Sequence, residues 1–220
     1  MKRLMLIWVG LPLLAVAQEQ PVGPAVAERT EDFGAVVAPA AMPDGATALA
    51  GWVGVPEVGA SFRQGISGWE LGARARFDYL RLAVALEGVG RRKVWAQVAF
   101  ELAPELGLGV MLDSGSRYFD EENFSGVFLR LSPGVVASWR VVETVKAVGL
   151  VEVPVDLGLS PTGTFRLKPL AGVGAEVYLG EDLSLLALGE LGVDVLKEPR
   201  GLSQTRPGYG VRLGLGVRLF

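Results

Sequence analysis

The side chains that most enzymes use for nucleophilic and metal chemistry are missing from this chain of 220 residues, which has no His and no Cys. Thiolate and imidazole nucleophiles, Ser-His-Asp triads and the usual zinc, haem and iron–sulfur ligands are therefore excluded. Carboxylates remain, and Asp120, Glu121 and Glu122 cluster within the segment 114–124. Hard oxygen ligands suit calcium, but this spacing matches no calcium-loop motif and favours a solvated loop. We expect no metal and no cofactor.

Two other sequence patterns could indicate a catalytic or phosphate-binding site, but they lack the structural context that such a site requires. Glu152 and Asp156 are spaced for acid–base work, but the sequence indicates no substrate cleft around them. The Gly172-x-Gly174 and Gly214-x-Gly216 pairs are fragments of a phosphate loop, and they lie inside strand-like segments with no helix after them. The formal net charge of −3 argues against a nucleic-acid partner. We therefore predict a protein that is not an enzyme and has no catalytic residue.

The N-terminal region predicts export. Residues 1–17 have a basic start, a short apolar run and an Ala-Val-Ala cleavage site, which is typical of a secretory signal peptide. Residues 18–45 are rich in Pro, Ala, Gly and Glu without a helix or strand period, and are predicted to be a flexible periplasmic tether. Residues 28–37 within it could add as a strand to a periplasmic partner, although an ordinary linker is favoured.

Beyond this tether, the pattern of residues 46–220 is alternation. In 165–179, for example, apolar side chains occupy odd positions while Arg166, Lys168 and Glu176 occupy even ones. A period of two indicates strands with one apolar and one polar face. We predict ten strands, with eight or twelve as alternatives: 50–64, 69–77, 80–88, 93–102, 106–113, 125–141, 144–157, 164–179, 182–196 and 207–220.

The predicted connections alternate in length. Tight turns at 78–79, 103–105, 142–143 and 180–181 alternate with longer segments at 65–68, 89–92, 114–124, 158–163 and 197–206. Short periplasmic turns and longer outer loops are typical of outer-membrane barrels. Aromatic residues on the apolar face then form two girdles, with one set on the turn side and the other on the loop side. The turn-side set is Trp52, Phe77, Phe100 and Trp139, and the loop-side set is Phe62, Trp69, Phe165 and Tyr209.

The chain thus resembles the small bacterial outer-membrane β-barrel proteins, the OmpA-membrane-domain and OmpX-like class. The resemblance covers about residues 50–220 and includes the alternating last strand that ends in Phe220. It departs from the family in placing Phe220 on the polar face, which a bulge could correct. The resemblance implies an all-β fold, a closed antiparallel up-and-down transmembrane β-barrel in the outer membrane with a periplasmic N-terminus. It implies contact with outer-membrane lipid and with the barrel-assembly machinery, and it implies no specific activity.

The polar face is expected to line the lumen and to pair its charges there, because a lone buried charge is costly. The expected lumen ion-pair residues are Glu70, Arg74, Arg76, Arg81, Glu87, Glu101, Arg130, Arg140, Glu152, Arg166, Glu176, Glu190, Arg212 and Arg218. At the outer rim, basic side chains are candidates for contact with lipid headgroups and lipopolysaccharide phosphates. Those candidates are Arg91, Arg92, Lys93, Lys197, Arg200 and Arg206.

Three functions remain open at this point. The leading hypothesis is a structural or anchoring subunit of a trans-envelope assembly for secretion, polysaccharide export or surface motility, contacting a periplasmic protein through residues 18–45. The second is a narrow channel for small solutes. The third is a soluble periplasmic β-barrel or sandwich that binds a ligand.

Overall fold

The computed structural model describes residues 36–38, 42, 44–97, 99–116, 125–180, 182–199, 201 and 203–219. The signal peptide, most of the tether, the acidic residues 120–122, Arg200 and Phe220 lie outside the described residues. Within them, no helix is both long enough and apolar enough to span a membrane.

The described chain is built of antiparallel strands. Their bounds are β1 Thr47–Val55, β2 Glu57–Ile66, β3 Trp69–Asp78, β4 Ala83–Arg91, β5 Trp95–Gln97, β6 Phe100–Ser114, β7 Ser125–Val142, β8 Val145–Glu152, β9 Val155–Ser160, β10 Thr162–Leu167, β11 Leu170–Tyr178, β12 Leu183–Lys197 and β13 Ser203–Arg218. Glycine and β-branched residues recur through them, and polar and apolar side chains alternate, which is the pattern of strands with two different faces.

The sheet closes on itself. β1 pairs with β2 on one side and with β13 on the other, through a register that includes Ala50↔Gly216 and Val53↔Leu213. The ring then continues from β2 through β3, β4, β6, β7, β8, β11 and β12 back to β13. A closed ring leaves no row of unpaired backbone groups at an edge. The predicted closed antiparallel barrel of ten strands is confirmed.

Two of the ten ring positions are interrupted strands. β8 and β9 form one path broken at Val153-Pro154, and β10 and β11 form another broken at Lys168-Pro169. Proline cannot donate to a strand ladder, so pairing stops at these positions. The backbone N–H of Val153 still donates to Pro133 at 2.9 Å, and that of Lys168 donates to Pro154 at 3.0 Å. The wall therefore remains continuous across both breaks.

The strand count was predicted correctly, but two strand boundaries were wrong, and the two errors cancel in the count. The predicted strand 50–64 is two strands, because the chain turns at Pro56 between β1 and β2. The predicted turn at 103–105 is instead the interior of β6, which pairs without a break with β7 from Phe100↔Trp139 to Ser114↔Ser125. Pro104 lies between the part of β6 that pairs with β5 and the part that pairs with β4, and its carbonyl still accepts from the N–H of Arg92 at 3.3 Å.

The expected alternation of short turns and long loops was also wrong. We call the end where β1 begins and β13 ends the near end, and the opposite end the far end. The near-end connections are 67–68, 92–99, 143–144 and 179–182. The far-end connections are 56, 79–82, 115–124, 161 and 198–202. Short and long connections occur at both ends, and residues 65–66 and 89–91 lie within strands.

The two faces of the wall differ in chemistry. The outer face carries exposed aliphatic side chains on every long strand, such as Val53, Leu108, Val173 and Leu213. The inner face carries the buried charged residues, together with a cluster of buried apolar residues near one end. A charged interior inside an apolar exterior is the arrangement of a barrel whose outside contacts lipid.

Candidate functional site in the barrel lumen

The lumen contains a dense set of buried charges. Strand alternation directs them inward, because successive side chains point to opposite faces. They are Arg63, Glu70, Arg76, Arg81, Glu87, Arg91, Asp113, Arg130, Lys146, Glu152, Asp156, Arg166, Glu176, Glu190, Asp194 and Arg212. Buried charges persist only when they are paired and hydrogen-bonded, so their contacts define how the lumen is organised.

A central layer of ion pairs crosses the lumen. Glu152 of β8 accepts a hydrogen bond from Arg76 and another from Nη2 of Arg74 at 2.9 Å. Glu87 of β4 lies 3.1 Å from Nε of Arg74 and 3.2 Å from Nε of Arg76. Nη1 of Arg74 also donates to Glu105 at 2.8 Å. These contacts tie β3 to β4, β6 and β8 across the barrel interior.

Arg212 of β13 completes this central layer. Its guanidinium lies 2.9 Å from Glu190 and 3.3 Å from Glu57. The same group lies over the ring of Trp52, 5.8 Å from the ring centroid. A cation over an indole face is a favourable contact, and it is stronger where water is excluded.

At the far end, Asp194 is the centre of a second cluster. Its carboxylate receives Arg81 at 2.7 Å, Arg166 at 2.9 Å and Arg206 at 3.1 Å. These side chains and Lys168 line a mouth cavity of about 190 Å³. Beside it, Arg130 and Asp156 form a two-point ion pair at 2.6 and 2.8 Å, a geometry that arginine and carboxylate favour.

The near end holds part of the N-terminal segment. Residues 36–38 lie inside the barrel, with Ala38 fully buried. The carboxylate of Glu176 accepts hydrogen bonds from the backbone N–H groups of Val36, Val37 and Ala38. The predicted free tether is therefore wrong for residues 36–38 and for Met42, which is also buried in the barrel. Residues 18–35 lie outside the described residues.

The remaining predicted lumen residues lie near the same end. Glu101 lies 2.5 Å from Nζ of Lys93 and 2.6 Å from Nζ of Lys146. Arg140 is half-buried and donates to the backbone carbonyl of Glu143 at 3.2 Å. Arg218 is half-buried at the end of β13.

Free volume in the lumen is small in this conformation. The cavity on the far side of the central layer measures about 40 Å³, and the one on the near side about 60 Å³. Each has room for a few water molecules, since one water needs roughly 10–15 Å³ on this measure. A solute can pass only if side chains or the segment 36–38 move.

The aromatic residues occupy two bands, but not with the predicted membership. Phe62, Trp69, Phe100 and Trp139 project outward toward the near end, while Phe77, Phe165 and Tyr209 project outward toward the far end. The assignments of Phe62, Trp69 and Phe77 to their ends were wrong, because an additional reversal at Pro56 places the turn at 67–68 at the near end instead of the far end.

Trp52 was placed on the wrong face. It is 7% exposed and lies inside the barrel. An unbroken strand would place residues 52 and 62 on the same face. The turn at Pro56 instead places them on opposite faces of the sheet. The indole lies against Gly59, where a Cβ atom would come within 2.6 Å of Cε2 of Trp52. Glycine at position 59 therefore makes the space that an inward tryptophan requires.

The proposed rim of lipid-contacting cations is largely wrong. Arg91 is buried in the lumen against Glu70, Lys93 contacts Glu101, and Arg206 contacts Asp194. Arg92 and Lys197 are exposed, and Arg92 lies over Trp69 at 5.5 Å from the ring centroid. Arg92 lies at the near end and Lys197 at the far end, so the two do not share one rim, and headgroup contact stays a prediction for each.

Among the inward charges that sequence reasoning missed are Arg63, Glu57, Glu105 and Asp113. Glu105 was assigned to a turn. The signal for Arg63 and Glu57 is their parity, which is opposite to that of the outward-facing Phe62. In the part of the chain that the structure describes, no three carboxylates come together as metal ligands.

The architecture is that of a small bacterial outer-membrane β-barrel, as the closed ring, the charged interior and the aliphatic exterior together define it. No protein-family profile matches the chain, and no curated protein matches it. Among solved structures, the KdgM porin in complex with disordered oligogalacturonate aligns over 80% of this chain and 99% of its own, at 8% identity and a TM-score of 0.43. The NanC porin aligns over 79% of this chain and 100% of its own, at 9% identity and a TM-score of 0.41. A de novo designed transmembrane β-barrel aligns over 81% and 98%, at 16% identity and a TM-score of 0.34.

Proposed function

We propose that the protein is a narrow outer-membrane channel for small polar solutes, with its near end facing the periplasm. One observation carries this proposal: charged side chains line the inner wall from the mouth cavity through the central layer to the near end. A barrel that served only as an anchor could be filled with apolar side chains, which avoid the desolvation of buried charges.

The anchoring hypothesis loses its main support. It relied on a free arm at residues 18–45, and residues 36–38 of that arm are bound inside the barrel. Contact of residues 18–35 with a periplasmic partner stays a prediction, as does contact with the assembly machinery and with lipopolysaccharide.

Planar-bilayer recording tests the channel. The parent protein is expected to show small discrete conductance steps. The double variant Arg74→Ser/Glu105→Ser removes one cation and one anion that are 2.8 Å apart, so it widens the central layer without changing net charge. Its conductance steps should be larger than those of the parent.

Four cationic and two anionic side chains line the mouth cavity, so reversal potentials in a KCl gradient should indicate a preference for chloride.

The matched control is Lys197→Ser/Glu143→Ser, which makes the same kind of neutral change at two exposed positions outside the lumen. Its conductance should equal that of the parent. The same recordings are made after residues 18–42 are deleted, so that the inserted segment cannot mask a pore. If the widened barrel without that segment is folded, as judged by heat-modifiable migration on gels, and still gives no conductance, the channel proposal is wrong.

A further inference from the structure

The near half of the lumen contains a binding arrangement for peptide backbone. All three N–H groups of residues 36–38 donate to Glu176. All three carbonyls accept from arginines: Val36 from Arg63 at 3.3 Å, Val37 from Arg91 at 2.6 Å and Ala38 from Arg91 at 3.2 Å. Three wall side chains thus satisfy six backbone groups of a segment that forms no strand pairing.

The wall residues are positioned for this role. Arg63 and Arg91 both contact Glu70, at 3.2 and 2.5 Å, which fixes the two guanidinium groups side by side. Glu176 is fully buried, and its carboxylate accepts hydrogen bonds from three consecutive backbone N–H groups, those of residues 36–38. The segment thus supplies the donors that a charged carboxylate requires while it is buried, and water must replace them when the segment leaves.

The segment also covers apolar wall. Val36, Ala38 and Met42 pack in one cluster with inward-facing residues of β1, β7, β8 and β12, including Ala50, Val136 and Leu186. An apolar lining in a water-filled lumen is unfavourable, and the segment removes it from water. Ala38 is fully buried, so the site has no room for a larger side chain at that position.

We propose that Glu176, Arg63 and Arg91 form a peptide-backbone binding site, that residues 36–38 of this chain occupy it, and that the occupied site closes the channel from its near end. The segment is held by hydrogen bonds and apolar contacts, so it can leave without breaking a strand pair. The closing role rests on the channel function proposed above, whereas the binding of the segment does not.

A disulfide lock tests where the segment lies. The chain has no Cys, so no native thiol can compete with an engineered cysteine pair. A Cβ built on Gly214 lies 3.0 Å from Cγ1 of Val36, so sulfurs at positions 36 and 214 can reach bonding distance. In Val36→Cys/Gly214→Cys, oxidation of the folded barrel should form this disulfide and reduce conductance. Reduction should restore it, and neither single variant should respond to redox conditions.

A second variant tests the site without altering the segment. Glu176→Gln removes the charge that accepts three backbone donors and should lower occupancy of the closed state about tenfold, which corresponds to about 1.4 kcal/mol. The open probability should rise accordingly. Glu143→Gln, the same change at an exposed turn of the same barrel end, should leave open probability unchanged.

Peptide addition supplies an independent measurement. In the variant lacking residues 18–42, a synthetic peptide with the sequence of residues 33–42 should reduce conductance when added at the near end. The same peptide with Trp at the position of Ala38 should not, because that side chain has no space.

The outcomes separate the two proposals. If the disulfide does not form in the folded barrel and Glu176→Gln leaves open probability unchanged, the backbone-binding site is wrong. If the disulfide forms but the oxidised and reduced forms conduct equally, the closing role is wrong and the channel stands. If the disulfide forms and no variant conducts, including the one lacking residues 18–42, the channel and its closure are both wrong while the binding of residues 36–38 is established.

Discussion

Glu152 lies between three guanidinium groups at the centre of the lumen. It contacts Arg76 and Arg74 directly, and Nη2 of Arg212 lies 4.0 Å away. The carboxylate is nearly inaccessible to water, so its charge is compensated by these neighbours rather than by solvent. The stability of the central layer therefore depends on this one anion more than on any single exposed ion pair.

Glu152→Gln should destabilise the barrel by about 3 kcal/mol, because it leaves buried guanidinium groups without their shared anion. Guanidinium chloride unfolding in phospholipid vesicles, followed by tryptophan fluorescence, measures this loss. Glu143→Gln makes the same substitution at an exposed turn and should stay within about 0.5 kcal/mol of the parent. Equal stability of the two variants would contradict a structural role for the central layer.

Strand parity predicts which charges face the lumen, but it cannot predict which of them meet. Arg74 and Glu152 are far apart in the sequence, and they meet because β3 and β8 face each other across the ring. Parity also fails wherever a break is missed, as Trp52 illustrates on the N-terminal side of Pro56. The recognition of residues 36–38 by Glu176 has no periodic signal, since it uses backbone groups that every residue has.

At the scale of elements, prolines decided where prediction failed. Pro56 ends β1 in a turn with no glycine beside it, whereas Pro104 lies inside β6. Local composition treats the two positions alike. Pairing with neighbouring strands distinguishes the two prolines. β6 pairs with β7 along its whole length, and it pairs with β4 from Ala83↔Asp113 to Arg91↔Glu105.

Insertion of one glycine after Ala103 tests the continuity of β6. A one-residue shift sends every later side chain of a strand to the opposite face. Leu106 and Leu108 would turn into the lumen, and Asp113 would turn toward lipid. We expect loss of the heat-modifiable folded band on gels and a low yield of β structure by circular dichroism.

The control for this insertion is a single glycine between Ser67 and Gly68, in the two-residue turn that joins β2 and β3. A three-residue hairpin loop keeps the flanking register, so this variant should fold. Equal tolerance of the two insertions would contradict the expectation from a continuous β6, unless a β-bulge absorbs the inserted residue, which a shift in the accessibility of cysteines placed at 106 and 113 would exclude.

At the scale of the whole molecule, closure of the ring determines the chemistry of both faces. Alternation predicts two faces but not which one is inside. The closed ring fixes this, because the charged face is concave and buried while the aliphatic face is convex and exposed. An even number of ring strands also brings Thr47 and Leu219 together, where the N–H of Leu219 donates to the carbonyl of Thr47 at 3.0 Å.

If the convex face contacts hydrocarbon, a charge placed on it should be costly in proportion to its depth. Leu215 pairs with Gly51 at the middle of β1, whereas Leu219 follows the last residue of β13. Their exposures are similar, at 45% and 41%, so exposure does not separate the two sites. Leu215→Arg should destabilise the barrel by about 2–4 kcal/mol in vesicles, and Leu219→Arg by about 1 kcal/mol or less.

Unfolding in vesicles measures both values, and repetition in vesicles of shorter acyl chains should narrow the difference between them as the hydrocarbon thins. If instead the convex face were exposed to water, as in a soluble binding protein of this shape, both substitutions would have small and equal effects on stability in every solvent. A difference that depends on depth and on bilayer thickness therefore supports the membrane-spanning barrel on which the channel and its closure both depend.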